Sequence, residues 1–228
     1  MNVIITGTSQ GIGLELVKTL AQLPFTRILA LSRNLTPLEP LLTNDRIQSF
    51  RLDLLNPGSM DDLTRKIDSF FNGSVNVLVN NAGVLVRKAF EEYTPNDFDR
   101  MFGVNVKGVY LLTSKLLPYF TKPAHIVNIS SMAGFQGSQK FEGLSLYAAS
   151  KGALTVLTEC LAMELQPRQI HVNALALGAV DTPMLQQAFP GHPAGINPKD
   201  MAEFIAAFAL NGYKTFNGKI LPVAVSTA

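Results

Sequence analysis

The chain has 228 residues, 47% apolar and 16% charged, which is enough apolar material for a large core and too little charge for disorder. A net charge of +2 and the lack of a long basic run argue against nucleic-acid binding, although the sequence pI is 8.7. The single cysteine, Cys160, excludes an intramolecular disulfide and a multi-cysteine metal site, no secretory signal opens the chain, and no apolar run would span a bilayer.

These features lead to an expectation of one α/β domain over residues 1–228 in a cytoplasmic protein, with no membrane, nucleic-acid or metal partner. Asn2 to Thr6 reads as a short buried strand. Gly7-Thr8-Ser9-Gln10-Gly11-Ile12-Gly13 follows, then a helical pattern from Ile12 to about Leu23 with Ile12, Leu16, Leu20 and Leu23 on its buried face. A glycine-rich turn between strand and helix suits phosphate, because the backbone approaches closely and the helix N-terminus offers free N–H groups. The glycines alone would suit a plain turn; the strand before and the helix after favour the phosphate reading.

Arg27 to Ser32 reads as a second strand. Ser32 and Arg33 stand where a ribose-binding acid would be expected, so Arg33 either pairs with a 2′-phosphate or is a solvated loop residue. Thr36 to Pro40 interrupts a short helix, and Ile47 to Leu52 is a third strand. Asp53 after it could accept from an adenine amino group or simply end the strand. A helix is expected from Pro57 to Phe71 with Asn56 as its N-cap, then a strand from Val75 to Val79 closed by Asn80-Asn81-Ala82-Gly83.

Thr94-Pro95 opens another helix, running to about Tyr119. Gly103, Gly108 and a polar Asn105 between valines conflict with a helix interior, and such conflicts often mark functional sites. His125 to Ser130 is a fifth strand, followed by Ser131-Met132-Ala133-Gly134 and a loop from Phe135 to Leu144. The next helix reaches about Leu165 and begins with Tyr147 and Lys151, four apart and so on one face. A tyrosine pKa near ~10 is too high for proton transfer at neutral pH, and a nearby cation lowers it. The pair is therefore an acid/base candidate, although this spacing also occurs on amphipathic surfaces. Ile170 to Ala176, a helix from Asn197-Pro198 to about Leu210, and a strand from Lys219 to Val223 complete the pattern. Strands alternating with helices imply a parallel sheet covered on both faces.

In order and spacing, Thr6-Gly7-x3-Gly11-x-Gly13, Leu52-Asp53-Leu54, Asn80-Asn81-Ala82-Gly83, Asn105, Ser131 and Tyr147-x3-Lys151 resemble the short-chain dehydrogenase/reductase family over nearly the whole chain. The resemblance implies a doubly wound, seven-stranded, mostly parallel Rossmann-like sheet and hydride transfer with a nicotinamide cofactor. It implies a catalytic group of Asn105, Ser131, Tyr147 and Lys151. Ser131 would bind the carbonyl oxygen, Tyr147 would protonate it, Lys151 would shift Tyr147 and hold the nicotinamide ribose, and Asn105 would hold a water. Implied cofactor contacts are Gly7, Thr8, Ser9, Gln10, Gly11, Ile12, Gly13, Ser32, Arg33, Asp53, Leu54, Asn81, Ala82, Gly83, Gly178, Val180 and Thr182. NADP(H) is expected to be preferred, with NAD(H) as the alternative. A homodimer or homotetramer is expected from the apolar stripes on the helices around Val104 and after Tyr147.

Leu177 replaces the family's proline, Gln10 offers no second cation near Arg33, and the segment between Thr182 and Pro198 is short. Phe135, Phe141 and Met184 should border an open apolar substrate pocket under a small lid, with His192 a further candidate. Arg87 and Lys88 read as a solvated loop face rather than as a site for acidic substrates. Cys160 reads as a core or interface residue, and His125 and His171 as structural or solvated. The expected activity is that of an NADP(H)-dependent carbonyl reductase or alcohol dehydrogenase. The alternatives are a 3-oxoacyl-carrier-protein reductase or, in a different class, a non-catalytic nucleotide-binding regulatory or scaffold protein.

Overall fold

The structure is a computed structural model and describes residues 1–191 and 195–225. Its strands are β1 (Asn2–Thr6), β2 (Arg27–Ser32), β3 (Ile47–Arg51), β4 (Val75–Asn80), β5 (Phe120–Ser131), β6 (Ile170–Leu177) and β7 (Ile220–Val223). They form a seven-stranded sheet of order β3-β2-β1-β4-β5-β6-β7, parallel at every pairing. The helices are α1 (Gly11–Ala21), α2 (Leu63–Phe71), α3 (Pro95–Phe102), α4 (Gly108–Leu116), α5 (Ser145–Leu165), α6 (Pro183–Ala188) and α7 (Pro198–Asn211).

Alternation along the strands sends side chains to two cores. Val3 and Ile5 of β1 pack with Leu16, Val17 and Leu20 of α1 and with Met201, Ile205 and Ala209 of α7. Ile4 faces the other way, with Ile67 and Phe70 of α2, Leu112 and Leu116 of α4, and Ala162 and Leu165 of α5. Strands buried on both faces read as continuous apolar runs, which is why Val3-Ile4-Ile5 carries no polar alternation. The winding reverses between β1 and β4, and the crevice outside the strands' carboxyl ends opens there.

Several expected elements are divided or extended. Pro57–Met60 is a 3₁₀ turn, capped by Asn56 Oδ1 accepting from the Gly58 N–H at 3.1 Å, and only Leu63–Phe71 is α-helical. Between α3 and α4 the chain makes a π-helical turn, Gly103–Lys107, with Asn105 inside it. β5 starts at Phe120, five residues before the expected His125, and α6 was not anticipated at all. Cys160 is exposed on α5, so it belongs to no core of this chain. No helix among the described residues is long and apolar enough to cross a membrane.

A polar ladder fixes α5 on the sheet. Asn80 Nδ2 of β4 donates to Asn128 Oδ1 of β5 at 2.8 Å, and Asn128 Nδ2 donates to Thr158 Oγ1 of α5 at 2.9 Å. The opposite face carries a second buried polar site. His125 Nδ1 lies 2.9 Å from the Ala209 carbonyl and its Nε2 lies 3.0 Å from Asn173 Nδ2. The carbonyl needs a donor and the amide needs an acceptor, so this pairing selects the neutral imidazole with the proton on Nδ1.

Burial pushes the His125 pKa down from 6.5 to about 4. The unfolded chain therefore takes up this proton below pH 6.5, and the folded protein takes it up only near pH 4. Stability is full above pH 6.5 and falls as the pH drops through that window, by up to roughly 3 kcal/mol. Urea unfolding at pH 7.5 and pH 5 should show wild type losing about 2 kcal/mol more than His125→Asn between the two conditions. Equal losses in both proteins would remove His125 from this role.

Candidate active site

The turn after β1 is shaped by what no side chain could occupy. Gly7 has φ +72°, and a Cβ on it would lie 2.7 Å from Ala82 Cα; a Cβ on Gly13 would lie 2.2 Å from the Gly7 carbonyl oxygen. The turn is pinned to the end of β4 by Asn81 Nδ2, which donates to the carbonyls of Thr6 at 2.9 Å and Gly7 at 3.1 Å. The Ala82 N–H donates to Thr6 Oγ1 at 2.9 Å. Gln10, the N-cap of α1, makes no side-chain cap bond, so the helix end is free to meet an anion.

This turn forms one end of a cleft of about 730 Å³. Gly7, Ser9, Gln10, Gly11, Ile12, Gly13, Ser32, Arg33, Asp53, Leu54, Asn81, Ala82, Gly83, Gly178, Val180 and Thr182 all line it, as expected. Thr8 does not. It is fully buried, and its hydroxyl donates to the Leu31 carbonyl at 3.3 Å, which ties the turn to β2. Asp53 Oδ1 accepts from its own turn at the Leu55 N–H, 3.0 Å away. Arg33 is exposed and, among the described residues, makes no ion pair. Arg100 and Val104 also line this end and were not anticipated; the signal was there, since both sit within a turn of the glycine and asparagine that conflict with a helix.

At the other end Ser131, Tyr147 and Lys151 meet. Ser131, the last residue of β5, stands beside the Tyr147 hydroxyl and accepts from the Ala133 N–H at 3.1 Å. Ser130 faces α5, donating to the Lys151 carbonyl at 3.1 Å. A Cβ on Gly134 would lie 2.6 Å from the Lys151 carbonyl carbon, so only glycine lets this turn lie against α5. Lys151 is buried, and Nζ donates to the Ile129 carbonyl at 2.8 Å. It lies 6.0 Å from the centre of the Tyr147 ring.

In this geometry burial, and not Lys151, dominates the Tyr147 pKa. Burial raises the Tyr147 pKa above 10.0, and the hydrogen bond from Ser131 opposes the rise. Lys151 is turned toward a backbone carbonyl, and its own pKa is pushed down from 10.5 to about 8 by burial. Asn105 is fully buried and lies behind the cleft wall rather than in it. Its Nδ2 donates to the Val84 carbonyl at 3.0 Å and to Ser150 Oγ at 2.9 Å, while Oδ1 accepts from the Val84 N–H at 2.9 Å. Both amide hydrogens are committed, so a water bound to this side chain must donate to Oδ1.

The substrate end is mostly apolar. Phe141 and Met184 line it as expected, and Phe135 does not. The Phe135 carbonyl accepts from Ser138 Oγ at 2.8 Å and Lys140 Nζ at 2.6 Å, which ties this loop together. Leu85, Met132, Gln139, Leu144, Leu185 and Phe189 also line the cleft. They come from loops and from α6, where no periodicity announces them. Lys88 is not simply solvated; it pairs with Asp97 at 2.7 Å, and Lys88 with Thr94 holds that carboxyl down at about 2. Arg87 likewise has protein partners. His192 lies outside the described residues. Among the described residues no group of acids, histidines and cysteines could hold a metal ion.

The cleft fits a dinucleotide: backbone crowding clears its floor at Gly7 and Gly13, and a bare helix end stands at one side. Comparisons with known proteins agree. The family model for short chain dehydrogenase matches residues 1–192. An uncharacterized oxidoreductase of Staphylococcus saprophyticus is 30% identical over 214 residues, covering 91% of this chain and 89% of its own. A 3-ketoacyl-(acyl-carrier-protein) reductase from Brucella melitensis, complexed with NADH, superposes with TM-score 0.85 at 30% identity over 98% of this chain and 96% of that one. A short chain dehydrogenase from Burkholderia cenocepacia, in complex with NADP, gives TM-score 0.85 at 25% identity over 99% and 96%.

The Lys151 ammonium is buried at a cost. Its folded-state pKa, about 8 against 10.5, means the unfolded chain binds more protons between those values. Stability therefore rises as pH increases through that window, and below pH 8 the full cost, roughly 3 kcal/mol, is present. Lys151→Met should raise the unfolding free energy at pH 7 by about 1–3 kcal/mol, after the lost bond to Ile129 is counted. The gain should shrink toward pH 10. Destabilisation at pH 7 would show that the ammonium is held by more than the geometry above.

Proposed function

The chain belongs to the short-chain dehydrogenase/reductase family, and from that premise we propose that it is an NADP(H)-preferring oxidoreductase interconverting a small or medium carbonyl compound and its alcohol. The meeting of Ser131, Tyr147 and Lys151 at one end of a cleft suited to a dinucleotide carries this reading. A nicotinamide nucleotide, when bound, supplies or accepts the hydride. The glycine turn and α1 would hold its pyrophosphate, Ser32, Arg33 and Asp53 its adenosine, and Tyr147 and Lys151 its nicotinamide ribose.

The protein's own chemistry concerns the oxygen. Ser131 donates a hydrogen bond to the substrate carbonyl and fixes it beside Tyr147. Tyr147, kept protonated by burial, gives its proton to that oxygen as the carbon is reduced. The phenolate left behind is stabilised by the Lys151 charge, and it regains a proton from water. Reduction is therefore favoured at neutral pH and weakens above about 8, where Lys151 loses its charge. Asn105 acts from behind, holding Val84 and Ser150 in place.

The similarity to a 3-ketoacyl-(acyl-carrier-protein) reductase supports oxoacyl thioesters as the alternative substrate class. A non-catalytic nucleotide-binding role would leave the assembled Ser131, Tyr147 and Lys151 without a chemical purpose. Solved neighbours hold NADH in one case and NADP in another, so the preference is argued from Arg33 alone. One charge-assisted hydrogen bond contributes roughly 1.5–3 kcal/mol. At about 1.4 kcal/mol per tenfold, and with Gln10 adding no charge, NADPH should bind roughly ten- to thirtyfold more tightly than NADH. A cytoplasmic homodimer or homotetramer completes the proposal, since closed symmetric assemblies are the commonest.

Tyr147→Phe should bind cofactor as wild type does and lose roughly 10²- to 10⁴-fold in kcat across a panel of ketones, aldehydes, quinones and oxoacyl thioesters. Retention of most of kcat would assign the proton to another group. Tight NADPH binding with no turnover of any panel member by wild type would favour the non-catalytic reading. Arg33→Ala should weaken NADPH binding roughly tenfold or more and leave NADH binding nearly unchanged. Tighter binding of NADH than of NADPH by wild type would overturn the cofactor assignment.

A further inference from the structure

The substrate end is built from three separate segments, and side chains join them. The loop after β4 supplies Leu85, the loop before α5 supplies Phe141 and Leu144, and the α6 segment supplies Leu185 and Phe189. The first two are tied directly. Tyr93 donates from its hydroxyl toward the carbonyls of Val86 and Gly143, at 2.9 and 2.6 Å, and the Lys88 N–H donates to the Gly143 carbonyl at 3.2 Å. Arg87 reaches the third. Its guanidinium lies 4.4 Å from the centre of the Phe189 ring, and Nη1 donates to the Ala188 carbonyl at 3.3 Å. Its stem rests against Gly143, where a Cβ would come within 2.9 Å of Arg87 Cγ. One side chain thus touches all three walls without lining the cleft itself.

We propose that Arg87 is a positioning residue that fixes Phe189 as the apolar wall of the substrate site, so that the site selects uncharged carbonyl compounds large enough to reach that ring. The selection part rests on the reductase reading above. The guanidinium holds Phe189 through the negative face of the ring, and its planar fork reaches the adjacent carbonyl at the same time. Its charge is thereby directed at the back of the wall and is not offered to a substrate anion.

Two measurements test this. In the first, Arg87→Met should raise KM for a bulky aromatic ketone roughly three- to tenfold, leave kcat within about twofold, and leave KM for a three-carbon ketone unchanged. Arg87→Lys, which keeps the charge and loses the plane, should fall between. An equal KM change for both ketones, or a loss confined to kcat, would overturn the assignment. The second is independent of activity. The chain has no tryptophan, so Phe189→Trp introduces a single tryptophan, which can be excited selectively over the tyrosines. Adding Arg87→Met to it should increase acrylamide quenching about twofold, because the ring loses the group that covers it. Unchanged quenching would defeat the latch whatever the kinetics show. If no carbonyl is turned over and quenching still rises, the latch stands and the reductase reading is what fails.

Discussion

A lysine ammonium is buried beside the cleft, and among the described residues no carboxylate pairs with it. Much of the local architecture answers to that constraint. The Ile129 carbonyl at the end of β5 gives Nζ an acceptor, and the missing side chain of Gly83 leaves room beside it. Gly134 lets the preceding turn lie on the helix backbone at Lys151. Burying an uncompensated charge opposes folding, so the interactions that hold α5 down must exceed it. The ladder from Asn80 through Asn128 to Thr158, two turns further along the helix, supplies part of that hold, and the packing of Ala162 and Leu165 supplies more.

The π-helical turn is the second half of the same arrangement. A continuous α-helix through residues 95–116 would bring regular spacing but would not set Asn105 where its amide meets both Val84 and Ser150. The extra residue in the turn rotates Asn105 inward, and its side chain then joins the loop after β4 to the second turn of α5. Such single-turn insertions are rare and tend to occur at functional sites. Here the reason is mechanical: Ser150 bonds the Tyr147 carbonyl, so Asn105 helps to hold the backbone that carries Tyr147.

The sheet was legible because buried parallel strands are continuous apolar runs and the helices between them keep their period. The glycine turn was legible because Gly7, Gly11 and Gly13 have a backbone reason to be glycine. Ser131, Tyr147 and Lys151 were legible as a set, but their electrostatics were not. Spacing places Lys151 near Tyr147, whereas the direction of its side chain depends on a carbonyl from β5 that is distant in sequence. Thr8 was misplaced for the same kind of reason, since the bond from its hydroxyl to the distant Leu31 carbonyl decides where it points. The six-residue α6 was missed because it is too short to show a helical period.

This contrast divides the site into halves with different physical origins. The nucleotide half is fixed by backbone geometry: positive φ, crowded glycines and strand ends in register. A substitution there either fits or breaks the turn. The substrate half is fixed by side chains that tie loops together, among them Tyr93, Arg87 and Lys140. Those ties can change one at a time without disturbing the sheet, because loops pack weakly against what they cover. A chain sharing 30% identity with its neighbours can therefore keep the reaction class while its substrate walls are rebuilt. Identity of fold carries over between such proteins for a physical reason, and identity of substrate has no comparable reason to do so.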